Sequence, residues 1–180
     1  MKRICVFCGS RVGLSPVFAE HARLLGAAMA RRDFGLVFGA GHVGLMGVLA
    51  DAVRHGGGAT AGVIPRALVE RELAHQQLSD LHIVESMHDR KALMAEMADA
   101  FIALPGGFGT LDEMFEILTW AQLDFHHKPI GMLNTAGFFD PLLAWIDRAV
   151  AEDFVKAKNR ETLIVDSDVE RLLDRLPLAA

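Results

Sequence analysis

The chain has 180 residues, is 52% hydrophobic, carries 17 glycines and has a formal net charge of -5 at pH 7. A chain of this size and composition is expected to form one domain over residues 1–180. The charge excludes a general nucleic-acid binder, which needs a basic face, but not a small anion held by a local cradle of N–H groups. No stretch approaches the roughly 18 uncharged apolar residues of a membrane span, so no membrane partner is expected. The apolar run Ile4 to Phe7 is too short for a signal-peptide core, and the expected location is cytoplasmic.

In chain order, strand and helix signals alternate. Arg3–Gly9 reads as a strand containing the C-x-x-C pattern Cys5-Val6-Phe7-Cys8. Residues three apart on a strand face opposite sides of a sheet, so the thiols are read as buried structural groups and not as a redox pair. A helix over Pro16–Arg32 follows, opened by the cap residue Ser15 and a proline at the first helical position. Next come a strand at Gly35–Gly39, a helix at Gly44–His55 ended by Gly56-Gly57-Gly58, and a strand at Thr60–Ile64. The pattern then predicts a helix at Pro65–Arg71, a strand at Leu81–Glu85, a helix at Met87–Met97 and a strand at Ala100–Leu104. It closes with a helix at Leu111–Asp124, a strand at Ile130–Leu133, a helix at Asp140–Glu152, a strand at Thr162–Val165 and a helix at Asp168–Leu176. Most strands are continuous apolar runs, as when both sheet faces are covered. The fold class is therefore α/β, a Rossmann-like doubly wound parallel sheet flanked by helices.

In such sheets ligands bind beyond the carboxyl ends of the strands, at the switch point. Three glycine-bearing turns follow strands: Cys8-Gly9-Ser10, the stretch Gly39 to Gly47, and Pro105 to Thr110. In the last, Gly106, Gly107 and Gly109 allow a sharp turn that brings bare N–H groups against an anion, and Thr110 adds a hydroxyl at a helix start. Glu113 stands one helical turn further in. By position alone it is either a first-turn acid favoured by the helix dipole or a reacting carboxylate beside the bound anion.

Gly39-Ala40-Gly41-His42-Val43-Gly44 matches the dinucleotide fingerprint G-x-G-x-x-G. Two features weaken a nicotinamide or flavin reading. The motif follows the second strand, not the first, and the region about 20 residues on, Gly62 to Arg66, has no carboxylate for the ribose. Arg66 leaves a 2′-phosphate reading open. The eight histidines show no zinc spacing, so no metal or cofactor is expected.

The motifs together resemble the Lonely Guy (LOG) family of cytokinin riboside 5′-monophosphate phosphoribohydrolases, often mislabelled as lysine decarboxylases. The resemblance lies in Cys8-Gly9-Ser10, Gly44-Leu45-Met46-Gly47, Gly62-Val63-Ile64-Pro65, Met87-His88-Asp89-Arg90-Lys91 and Pro105 through Glu113. It extends through Thr119-Trp120-Ala121-Gln122-Leu123, His127-Lys128-Pro129 and Gly137-Phe138-Phe139-Asp140. The chain departs from the pattern at Arg11, where a second serine is common, at Ala40, Asp124 and Asp153, where glycine is usual, and in having no tyrosine.

The resemblance implies hydrolysis of the N-glycosidic bond of an adenine-type nucleoside 5′-monophosphate, giving free base and ribose 5-phosphate. It implies that Arg90 and Glu113 are catalytic and that the chain forms a homodimer. Gly106, Gly107, Gly109 and Thr110 are then expected to hold the phosphate, Lys91 to touch phosphate or ribose, and Met87 to touch the base. Two mostly apolar helices, Gly44–His55 and Met87–Met97, are the expected contact surfaces between copies. The competing readings are a non-catalytic nucleotide-binding protein of the same fold and a dinucleotide-dependent oxidoreductase. A pyridoxal decarboxylase would need a Schiff-base lysine; Lys91 is the one lysine in the two most specific motifs and has no cofactor-site pattern around it.

Overall fold

A computed structural model describes residues 1–69 and 77–178. Its centre is one seven-stranded, all-parallel sheet in the order β4-β3-β2-β1-β5-β6-β7. The strands are β1 (Arg3–Phe7), β2 (Gly35–Phe38), β3 (Thr60–Pro65), β4 (Asp80–Val84), β5 (Ala100–Ala103), β6 (Ile130–Leu133) and β7 (Leu163–Asp166). The chain winds outward from β1 to β4, returns to the middle, and winds the other way from β5 to β7. The switch point is therefore the crevice between β1 and β5, paired from Ile4↔Ala100 to Phe7↔Ala103.

The helices are α1 (Pro16–Arg31), α2 (Gly44–His55), α3 (Met87–Met97), α4 (Phe108–Gln122), α5 (Asp140–Ala151), α6 (Ala157–Glu161) and α7 (Val169–Arg175). Each sheet face carries its own apolar core. On one, Ile4, Val6 and Phe38 pack with Leu25, Leu49 and Leu172 from α1, α2 and α7. On the other, Cys5, Phe7, Val37 and Phe101 pack with Met94, Met114 and Ile146 from α3, α4 and α5. The two thiols fall in opposite cores as strand geometry requires, Cys5 in the second and Cys8 in the first. Burial pushes both well above the usual thiol range, and the charge of Glu113 adds to the shift.

Two expectations change. Pro65 closes β3, paired with Val84, and the predicted helix Pro65–Arg71 is reduced to a 3-10 turn at Arg66–Leu68, its last two positions lying outside the described residues. A proline without an N–H donor ends a strand as readily as it starts a helix. The helix after the third glycine turn starts at Phe108 with Gly107 as its cap, three residues earlier than its apolar periodicity indicates. Thr110 thus sits within the first turn.

Helix ends follow a repeated rule. α1, α4 and α5 each stop at an Asp-Phe pair: Asp33-Phe34, Asp124-Phe125 and Asp153-Phe154. The aspartate is left-handed, with φ of 57°, 61° and 62°. The next N–H bonds back to the carbonyl five residues earlier, Phe34 to Met29, Phe125 to Trp120 and Phe154 to Ala149. This is a Schellman closure, which glycine most often makes. Asp tolerates the left-handed region better than most side chains, which accounts for aspartate at these three helix ends.

At the end of β7 the carboxylate of Asp166 accepts hydrogen bonds from Arg171 Nη2 and the Asp168 N–H at 2.9 Å each, and from Arg175 Nη1 at 3.2 Å. The Arg171 bond and the Asp168 N–H hold it well below the usual carboxylate range. Because the folded value is depressed, its stabilisation is complete above the unfolded value near ~3.9 and is lost as pH falls below that. Asp166→Asn is expected to cost about 1–2 kcal/mol at pH 7 in urea unfolding. The gap to the parent chain should narrow steadily as the pH is lowered from 4 toward 2; a gap that persists unchanged would show that the charge is not its source.

Candidate active site

The three glycine turns meet at the switch point. The Gly9 N–H donates to the Pro105 carbonyl at 3.0 Å, and the Leu45 N–H donates to the Gly9 carbonyl at 3.0 Å. Beyond the carboxyl ends of β1, β2 and β5 they surround a cavity of about 260 Å³. The first turn contributes Cys8, Gly9 and Ser10, and the second Gly39 and Met46. The start of α4 contributes Gly107, Phe108, Gly109, Thr110 and Glu113, and α3 contributes Met87 and Arg90.

Arg90 is placed by its helix start. Ser86 caps α3, its hydroxyl accepting from the Asp89 N–H at 3.0 Å while Asp89 accepts from the Ser86 N–H at 3.1 Å, a reciprocal capping box. One turn in, Arg90 is 5% exposed. Its Nη2 donates to the Gly39 carbonyl at 2.9 Å, and its Nη1 lies 3.7 Å from the Met87 sulfur. A methyl group on Gly39 would collide with that same Nη2. The absence of a side chain at Gly39 is thus what lets a buried guanidinium approach the backbone, and the G-x-G-x-x-G stretch serves packing around Arg90 and the first turn.

The expected residues separate into two groups. Arg90, Glu113, Met87, Gly107, Gly109 and Thr110 line one cavity. Thr110 is buried, and its hydroxyl fills the space a Gly106 side chain would need. Gly106 itself opens onto a neighbouring chamber. Lys91 is outside both linings. Its ammonium is clamped by Asp112 at 3.0 Å and Glu116 at 3.2 Å, and it joins α3 to α4. Partial burial alone would lower its pKa, but the bonds to Asp112 and Glu116 outweigh that and raise it. Met46, Leu68 and Cys8 also line the cavity. Their only signal in the sequence was the motif membership of Met46 and Cys8. Leu68 follows a strand end read as a helix start. His75 lies outside the described residues.

N–H donors of a helix start, a carboxylate and a buried guanidinium in one crevice at the switch point of a doubly wound sheet define an α/β protein equipped to handle a nucleotide. Comparison narrows the class. The family model described as "Possible lysine decarboxylase" matches residues 46–176. Over 175 residues the chain is 47% identical to the cytokinin riboside 5′-monophosphate phosphoribohydrolase LOG7 of Arabidopsis thaliana, covering 97% of this chain and 81% of the relative. Over 172 residues it is 46% identical to the cytokinin riboside 5′-monophosphate phosphoribohydrolase LOG of Oryza sativa subsp. japonica, covering 96% of this chain and 71% of the relative. The chain belongs to the LOG family. The molybdenum cofactor binding protein of Rippkaea orientalis shares the fold, with a TM-score of 0.71 at 20% identity over 97% of this chain and 94% of that one.

Proposed function

We propose that the protein hydrolyses the N-glycosidic bond of cytokinin riboside 5′-monophosphates or AMP, releasing free base and ribose 5-phosphate. The observation that carries this reading is that Arg90 and Glu113 line the same small cavity as the N–H groups of Gly107, Gly109 and Thr110. A phosphate on those N–H groups and the α4 dipole puts the ribose beside Glu113, one turn further along the helix. As the C1′–N bond breaks, positive charge grows on the ribose. The Glu113 carboxylate stabilises it and takes a proton from the attacking water, whose oxygen bonds to C1′ while the base leaves with the bond's electron pair. Arg90 offers fixed donors to substrate oxygens. The apolar lining residues Met46, Leu68 and Met87 suit a purine, since thioethers pack well against aromatic faces. Lys91, tied up between two carboxylates, has a structural role in this reading, and a Schiff base on it has no support.

The test is a product assay. The protein is incubated with AMP and with N6-isopentenyladenosine monophosphate, and free base is followed by chromatography. Release of base supports the proposal; tight AMP binding without release would make this a nucleotide-binding protein instead. Among the described residues no helix is long and apolar enough to cross a membrane, and a small nucleotide is the proposed partner.

We also propose a homodimer, formed through α3. The apolar face of α2, with Leu45, Leu49, Ala50 and Val53, is consumed against α1 inside the chain. α3 buries only Arg90 and Met94, leaving Met87 exposed and Leu93 and Met97 half-buried. Light scattering is expected to give twice the 19.6 kDa chain mass, and Leu93→Glu should shift it to the monomer; a monomeric parent chain would refute the pairing.

A further inference from the structure

We propose that Arg11 is a binding residue for the substrate's 5′-phosphate and sets the preference for nucleotide over nucleoside; this rests on the phosphoribohydrolase reading above. Next to the catalytic cavity lies a second chamber of about 650 Å³. The two share Gly9, Ser10, Gly107 and Phe108, so the start of α4 opens to both. The second chamber's walls are largely apolar, with Phe18 and Phe138 edge to face at 5.7 Å. Arg11 is the one cationic residue among the described residues that line it.

The argument is one of charge. A nucleoside 5′-monophosphate brings a dianion into a site that already holds the Glu113 carboxylate, and like charges at close range repel. Among the described residues, the lining of the two chambers contains two cations, Arg90 and Arg11. Arg90 bonds the Gly39 carbonyl through Nη2 on the α3 side and is not in the lining of the second chamber. Lys91, the other cation of that motif, is held outside by Asp112 and Glu116. Arg11 has no ion pair among the described residues and follows directly on Ser10, which lines both chambers. A phosphate on the Gly107 N–H side of the helix start therefore shares the second chamber with a guanidinium that has no ion pair among the described residues, with a fork that fits phosphate oxygens in pairs.

The test is calorimetric binding of AMP and adenosine in the Glu113→Gln background, where ligand is not consumed. Arg11→Ser is expected to weaken AMP about tenfold and adenosine less than twofold, and Arg11→Lys to stay within about threefold of arginine for AMP. In the active enzyme Arg11→Ser should raise KM for AMP far more than it lowers kcat. A loss of AMP affinity below threefold, an equal loss for AMP and adenosine, or a lysine variant as weak as the serine variant would each overturn the assignment. Binding is read without turnover. An Arg11-dependent AMP affinity with no base release would therefore refute the catalytic reading alone, and base release with an unchanged KM in Arg11→Ser would refute this inference alone.

Discussion

Glu113→Gln is expected to lower kcat for base release from AMP by about 10³-fold, within the range that a positioned acid or base contributes. AMP affinity should hold or improve. The amide keeps the shape of the side chain and removes the one carboxylate that lines the cavity among the described residues. Glu113 is only half-buried, so exchanging it for an isosteric amide should leave the urea midpoint nearly unchanged, as for most substitutions away from a core. The pairing of these results matters: lost turnover with retained binding and retained stability assigns chemistry to the carboxylate itself. A variant keeping more than a tenth of the parent kcat would remove Glu113 from the mechanism. Glu113→Asp, which keeps the charge but shortens its reach, should fall between the two, because a misplacement of about 1 Å can cost around 10²-fold.

The sequence shows the sheet more clearly than the site. Ile130–Leu133, Gly44–His55 and Met87–Met97 match β6, α2 and α3 to the residue. Their ends are marked locally, by Pro129, by glycines at both ends of α2, and by the Ser86 cap. Where the mark is ambiguous the reading slips. Pro65 satisfies both a helix start and a strand end, and only its pairing with Val84 on β4 decides. α6, with the sequence Ala-Lys-Asn-Arg-Glu, has no apolar period to reveal it. The three Asp-Phe helix stops are legible only after the left-handed aspartates are seen, since aspartate is also a common solvated residue.

In the site, what is local was readable: the turn Pro105 to Thr110 and the acid one helical turn on. What depends on distant partners was not. Lys91 is turned away by Asp112 and Glu116 on α4. The second chamber needs Phe138, far along the chain from Arg11. Most of all, the glycine fingerprint, already a weak cofactor signal in the sequence, does not show that its packing partner is Arg90, which stands 51 residues later on the Gly39 carbonyl.

That contact leads to the second large expected effect. Gly39→Ala places a methyl group where Arg90 Nη2 stands. The flanking backbone belongs to the end of β2 and a buried turn, so the guanidinium and not the strand should yield. Its displacement breaks the bond to the Gly39 carbonyl and moves the donors that, in the proposed mechanism, Arg90 presents to substrate. We expect kcat to fall about 10²-fold, with a stability loss of about 1–3 kcal/mol from overpacking and the lost bond. Arg90→Ala should lower kcat at least as far, since it removes those donors altogether. The double variant Gly39→Ala with Arg90→Ala decides the cause. If the alanine acts only by displacing the guanidinium, it has nothing to displace in the Arg90→Ala background, and the double variant should be no slower than Arg90→Ala alone. Residues that act through one contact are non-additive in this way. Losses that simply multiply would mean that Gly39 acts through the backbone of the second turn, independently of Arg90, and would sever the proposed link between the fingerprint and that arginine.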